Sequence, residues 1–514
     1  MNLLEHLRAQ IAAHPDRPAI IERDGSVTTF ATLEREGARV TALLEARGVR
    51  AGDAVMVLVP MSAALYVTLA AVFRLGATVM VVDPASGLAH VQRCCALNPP
   101  KALVGSSLAH LFSLLVPALR AVPVRVTTRG WFPSASSFRT NLEPRAKLEP
   151  VSDDAPALLT FTSGTTGTPK AALRSHGLLL AQLAALEGLL EPQSDDVDLA
   201  TLPIVALANL ATGITTVIPD ANLRKPAQIN ADALLEQIAR HRITRTAASP
   251  ALLERLADRA LETGATLPGL TRIFSGGGPV FPRVLEKLAR VAPNAELISV
   301  YGSTEAEPIA HIAYQDLEPG DLTAMRGGRG LLVGAPVPEI ELLVVQPGVD
   351  LHNATLETLE HATLSALEIG EIVVSGAHVL PGYLHGQGDA ETKFRADGRI
   401  WHRTGDAGSL DERGWLWLAG RVGGRVSDAH GTTYPFSVEC AALEVAGVRR
   451  CAFLEHRGKR VLCVEWGGTP QPDALLEALR WARVAEVRSV TSLPMDSRHN
   501  AKVDLKRLRT MLER

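Results

Sequence analysis

An α/β fold is predicted for this chain of 514 residues, and three observations predict it. Apolar strand-like runs alternate with helix-like segments through the first two thirds of the chain, as in βαβ units with a parallel sheet. Hydrophobic residues make up 46% and charged residues 21%, enough apolar side chains for a large core and too few charges for a disordered chain. Beyond about residue 330 the rhythm changes to short β-rich runs. The expected architecture is a large N-terminal domain of parallel and mixed sheets covered by helices, with a β-rich subdomain. A small, mobile α+β domain follows at the C-terminus.

The start, MNLLEHLRAQIAAHPDRPAI, places Glu5 and Arg8 where an export signal needs an unbroken apolar run, so a cytoplasmic protein is expected. Ala54–Phe73 carries no charge and has the length of a membrane span, but Pro60 interrupts it and Arg74 closes it. A buried strand (54–59), a turn, a packed helix (about 62–75) and a second strand (77–82) explain it better. Phe132–Glu149 is polar, bears Pro and Ser, and reads as a surface connection. HGLLLAQLAALEGLL (176–190) fits a helix covering the sheet. ALLEQIARHR before RTAASP, and VLEKLARVA before ELISVYG, repeat the helix–strand theme. IELLVV, GEIVVSG, RIWHRTG and WLWLAGR form the β-rich part. VGGRVSDAHG (422–431) has three glycines and marks either a flexible boundary or an ordinary hairpin. The boundary reading gives domains 1–421 and 422–514.

Lysine and arginine total 52 against 55 acidic residues, a net charge of −3, and the 22 aromatics are sparse. A nucleic-acid surface needs a basic excess and stacking rings, so neither a DNA nor an RNA partner is expected. The five cysteines are odd in number and include no Cys-x-x-Cys, which fits a reducing compartment. In the tail, Asp504 and Glu513 interrupt the basic residues, which read as a solvated helix face.

Four clusters carry chemistry. In LLTFTSGTTGTPKAAL (158–173) an apolar strand runs into Thr162, Ser163, Gly164, Thr165, Thr166, Gly167, Thr168, Pro169 and Lys170. Glycines let amides turn toward an anion, hydroxyls add donors and Lys170 adds charge, as phosphate binding requires. It is no P-loop, because the lysine follows proline and precedes alanine. Gly276, Gly277 and Gly278 follow a strand and let a flat ring approach the backbone. Tyr301, Gly302, Ser303, Thr304 and Glu305 offer an aromatic face, hydroxyls and a carboxylate able to hold Mg²⁺. Trp401–Asp406 (WHRTGD) ends in a carboxylate able to accept bonds from two vicinal hydroxyls. A lone histidine such as His176 or His311 is more commonly packed or solvated than catalytic.

In this order and spacing the clusters resemble the adenylate-forming superfamily of acyl-CoA synthetases, peptide-synthetase adenylation domains and luciferases, from about residue 15 to the C-terminus. Gly420-Arg421 is similar to the pair opening that family's hinge. Lys502, closing PMDSRHNAK (494–502), aligns with its C-terminal catalytic lysine. The resemblance implies that ATP is bound with its phosphates on the 162–170 loop and on Mg²⁺ held by Glu305. Adenine would lie against Tyr301 and the 276–278 glycines, and Asp406, with Arg421 nearby, would hold the ribose. Lys502, Thr304 and Glu305 would serve catalysis, Lys502 bridging a substrate carboxylate and the α-phosphate.

Three departures stand out. Gly424 occupies a place that is commonly Asp or Lys, the C-terminal module is short, and LPIVALANL (202–210) lacks a histidine common in the family. Residues 215–229, 248–260, 401–408 and 498–502 look most like olefin β-lactone synthetases, among the long-chain acyl branches. The implied activity is conversion of a carboxylic acid, a medium- or long-chain fatty acid with or without a 3-hydroxyl, to acyl-AMP and pyrophosphate. A thioester with CoA or a carrier-protein pantetheine would follow; the alternative is closure of a 3-hydroxyacyl-AMP to a β-lactone. A non-catalytic nucleotide- or acyl-binding homologue is the remote reading. A carrier protein or a downstream enzyme is the implied partner.

Overall fold

The computed structural model describes residues 2–162, 169–352, 354–495 and 502–513. Its contacts group them into two compact units, Met1–Asp220 with Ala377–Ala390, and Ala221–Gly376 with Glu391–Arg514.

In the first unit a seven-stranded sheet runs in the order Ser136–Ser137, Val124–Thr127, Ala102–Gly105, Ala54–Leu58, Thr78–Val81, Pro156–Thr162 and Lys170–Ser175. Every pair is parallel except the last. The uncharged stretch 54–73 is thus a strand and the helix Ala63–Arg74, as its proline and arginine predict. Arg74 itself is fully buried and pairs with Glu34 at 2.5 Å. Met56, Met80, Leu103, Leu159 and Phe161 fill the core under this sheet. The helix His176–Leu190 covers the run its sequence outlines, and the Ser175 hydroxyl caps it by accepting the Leu178 amide at 3.2 Å. Within the surface connection 132–149, only Ser136–Ser137 is a strand.

In the second unit Arg245–Ala248, Arg272–Ser275 and Glu296–Ser303 lie parallel. From there the sheet continues antiparallel through Ala306–Ala313, Leu331–Pro336, Leu416–Arg421, Arg399–Leu410, Gly370–Gly376 and Ile340–Val345. The change of rhythm near residue 330 is this passage from helix-linked parallel strands to hairpins.

A smaller three-stranded sheet, Val448–His456, Lys459–Trp466 and Glu486–Val490, follows. Its side chains alternate, so both faces are covered. Phe453 and Leu462 pack with Val438 of the helix Pro435–Ala442, while Ala452, Leu454 and Val461 pack with Leu508 of the helix Leu505–Leu512. The glycine-rich segment forms a short turn, Val422–Gly424, and then the hairpin Val426–Asp428 and Gly431–Thr433. Arg460 fixes that hairpin. Its guanidinium donates to both Asp428 oxygens at 2.8 Å and to the Ala482 carbonyl at 2.8 Å.

Candidate functional site

Two pairs of adjacent strands in the second unit supply the centre of the site, Arg272–Ser275 with Glu296–Ser303 and Arg399–Leu410 with Leu416–Arg421. Arg272–Ser275 ends at the three glycines, and two of them have distinct physical reasons. A Cβ on Gly276 would stand 3.0 Å from the Val300 carbonyl oxygen, so any side chain there would press this strand away from its neighbour. Gly277 adopts φ +78°, a backbone that L side chains rarely take.

On the next strand Tyr301 is buried, and its hydroxyl donates to Asp406 Oδ2 at 2.9 Å. Burial, then the neighbouring Asp406 charge, hold the phenol far above its usual range, so it stays a neutral donor. Asp406 lies across from Arg421 in the strand register, and Arg421 Nε sits 3.1 Å from Asp406 Oδ1. Arg421 also donates to the Thr404 carbonyl at 2.8 Å. Oδ2 therefore accepts the Tyr301 hydroxyl while Oδ1 faces the Arg421 cation, and both oxygens keep lone pairs for further donors. The result is an oriented carboxylate with spare acceptor capacity.

A cavity of about 250 Å³ opens in front of these residues. Gly277, Gly278, Tyr301, Gly302, Ser303, Asp406 and Arg421 line it, and so does Lys502 from the far end of the sequence. Lys502 is held there by its neighbours: Met495 and Val503 form an antiparallel bridge, and the Asp504 amide donates to the Pro494 carbonyl at 2.8 Å. Gly276 does not reach the lining, where its part is the close strand approach. Thr304 and Glu305 form the turn after Ser303, whose hydroxyl accepts the Glu305 amide at 3.2 Å, and neither is in the cavity wall. The Glu305 charge does reach His402, a buried ring whose Nδ1 bonds to the Thr392 carbonyl at 3.1 Å. Burial pushes this imidazole down to about 4, so it is neutral near pH 7.

The 162–170 loop belongs to the first unit. Ser163, Gly164, Thr165, Thr166, Gly167 and Thr168 lie outside the described residues, as do Asp496–Ala501 before Lys502. The backbone of Thr162 pairs with that of Lys170 across the two strands that flank the loop. The Lys170 ammonium lies 5.4 Å from the Tyr383 ring centroid. Its stem passes Gly388 so closely that a Cβ there would stand 2.6 Å from Lys170 Cε. Among the described residues no group of three His, Cys, Asp or Glu side chains is placed to hold a metal ion. A single carboxylate such as Glu305 fits Mg²⁺ that arrives on phosphates, since that ion keeps most of its waters and takes one or two protein ligands.

Sequence reasoning missed one wall of the cavity. Phe281, Phe436, Glu439, Cys451 and Phe453 line it as well. Glu439 Oε1 accepts the Phe453 amide at 3.0 Å, and burial pushes its carboxyl up to about 7. The only signal in the sequence was the lone charge of the helix PFSVECAA.

Residues 7–384 match the family described as AMP-binding enzyme. An olefin beta-lactone synthetase of Stenotrophomonas maltophilia is 33% identical over 93% of this chain and 90% of its own length. An indoleacetate–CoA ligase of Aromatoleum aromaticum is 31% identical over 85% of this chain and 82% of its own. Among solved structures, the amide bond synthetase McbA of Marinactinospora thermotolerans superposes with a TM-score of 0.82 at 23% identity, covering 99% of both chains.

Proposed function

Because this chain belongs to the family of AMP-binding enzymes, we propose that it activates a carboxylic acid with ATP, forming an acyl-adenylate and pyrophosphate. One observation carries the reading: Lys502, remote in sequence, lines the same cavity as Tyr301, Asp406 and Arg421. A carboxylate attacking an α-phosphate brings two anions together, and a compact ammonium at that point offsets the repulsion. Asp406, oriented by Tyr301 and Arg421, accepts the two ribose hydroxyls with its spare lone pairs. The open backbone at Gly277 and Gly278 leaves room for a planar base. Glu305 holds the Mg²⁺ that accompanies the nucleotide, and the 162–170 loop with Lys170 receives its phosphates. Residues 422–514 act as a lid that carries Lys502.

The adenylate then has two fates. The relative from Stenotrophomonas supports intramolecular closure, in which the 3-hydroxyl of a fatty acid attacks its own acyl carbon and AMP leaves, giving a β-lactone. Such a step gains from proximity and needs no second substrate. The CoA ligase relative supports transfer to a CoA or carrier-protein thiol. The test is to incubate the enzyme and Mg·ATP with 3-hydroxy and plain fatty acids, with and without CoA, and to weigh the products. Turnover of the hydroxy acid alone, to a product lighter by one water, supports lactone closure. CoA thioesters from plain acids, with no CoA-independent turnover, support transfer. No acid-dependent AMP under any condition refutes the proposal.

A further inference from the structure

The helix Ser107–Ser113 in the first unit is inverted. Its polar side chains face inward and its leucines face out. His110 Nε2 bonds to the Val126 carbonyl at 3.0 Å, and Arg125 donates to the Ser113 hydroxyl at 2.9 Å, all three side chains being buried. On the opposite face Leu108 is 73% exposed, Leu111 57% and, just past the helix end, Leu115 64%. Their spacing of three and four residues puts them on one side. A neighbouring loop adds an aromatic ring. The Ser107 amide donates to the Arg129 carbonyl at 3.0 Å, and Phe132 stacks on His110 at 5.1 Å, so Trp131 between them lies beside this helix at 78% exposure. Single exposed apolar residues need no explanation, but a cluster of leucines and a tryptophan that fold nothing does.

The charge of the surrounding segment says what covers it. Between Asp83 and Glu143 there is no acidic residue, while Arg93, Lys101, Arg120, Arg125, Arg129 and Arg139 fall within it, in a chain whose net charge is −3. All of these but Arg125 are exposed. Arg93 and Arg120 sit on adjacent helices, Leu88–Leu97 and Pro117–Arg120, joined by the Ala118 amide donating to Gln92 Oε1 at 2.9 Å. From outside the segment, Asp24 lies within electrostatic reach of Arg129. Exposed leucine and tryptophan side chains able to insert shallowly, on a segment whose exposed cations have no acid of the same segment to offset them, have the chemistry of a peripheral lipid-binding surface.

We propose that this face docks on lipid bilayers bearing anionic head groups. No helix among the described residues is long and apolar enough to cross a membrane, so the attachment is interfacial and reversible. It does not depend on which acid is activated. The test is flotation of the full chain with vesicles of phosphatidylcholine alone and of phosphatidylcholine with phosphatidylglycerol at about three to one, at about 0.1 M and about 0.5 M salt. Binding to the anionic vesicles, weakened by salt, is expected, with a blue shift of tryptophan emission that Trp131→Phe removes. A triple variant, Leu111→Ser with Leu115→Ser and Trp131→Ser, and a double variant, Arg93→Glu with Arg120→Glu, should each lower the partition coefficient by at least about tenfold. Both should keep their melting temperature and their turnover of a short soluble acid. The proposal is overturned by no binding to anionic vesicles, by equal binding to neutral ones, or by binding that survives the triple variant. It is equally overturned if the free protein is a dimer that the triple variant disperses, which would assign the face to a second copy of the chain.

Discussion

At the scale of the residue, the pairing of Tyr301 with Asp406 joins positions 105 residues apart, and nothing in either local motif announces it. Sheet order alone would not predict it, since Ala306–Ala313, Leu331–Pro336 and Leu416–Arg421 lie between their two strands; the contact is made by the tertiary path of the chain. Lys502 was legible because its motif is distinctive, whereas Glu439 was not, since the lone charge of a helix states no partner. Two predictions belong here. Lys502→Ala should slow adenylate formation by at least about a hundredfold, roughly 3 kcal/mol at the transition state, with nucleotide affinity little changed. Pyrophosphate exchange and ATP titration separate the two, and equal losses in both would remove the assigned role. Glu439 is held up near 7 by burial, so the folded state binds its proton more tightly than the unfolded one. Stability should therefore fall as pH rises from about 4.5 to about 7, by an amount on the order of 2 kcal/mol, and Glu439→Gln should flatten that slope in thermal melts. His402 and His176, both pushed down to about 4 by burial, act with the opposite sign. Their contribution is complete above about 6.5 and is lost as pH falls toward 4.

Elements were the most legible scale where the apolar pattern was plain. The helix 176–190 runs over the residues its sequence outlines, because Ser175 caps it and its leucines bury. The glycine-rich 422–431 segment was ambiguous for a physical reason: glycine suits both a hinge and a hairpin turn. The hairpin is present, and Gly424 itself needs neither a left-handed backbone nor extra room: its φ is not positive, and a Cβ there would meet Pro435 Cγ at an ordinary 3.4 Å. Gly424→Pro is the test of the hinge proposal. It should abolish turnover while nucleotide affinity stays within a few-fold, and full turnover would show that this segment does not move. Arg460→Ala should lower stability by about 2 kcal/mol, because Asp428 and the Ala482 carbonyl lose charged hydrogen bonds together. Unchanged melting would mean the hairpin is held by its backbone alone.

For the whole molecule, alternation of strand and helix was enough to predict an α/β fold, because parallel strands must be buried on both faces and therefore read as apolar runs. Which units the chain divides into was not legible, since Ala377–Ala390 groups with the first unit despite its place in the sequence. The cavity wall built by Phe436, Glu439 and Phe453 was equally hidden, being made by packing between segments that no local pattern connects. The central claim is that the substrate's carboxylate attacks the α-phosphate. Whether lactone or thioester forms afterwards, the acyl carbon–oxygen bond then breaks and one carboxylate oxygen leaves with AMP. The direct measurement supplies a fatty acid labelled with ¹⁸O in its carboxyl group and weighs the nucleotide released. AMP carrying one labelled oxygen, with pyrophosphate, is the result this account predicts; ADP as the product, or AMP without label, would contradict it.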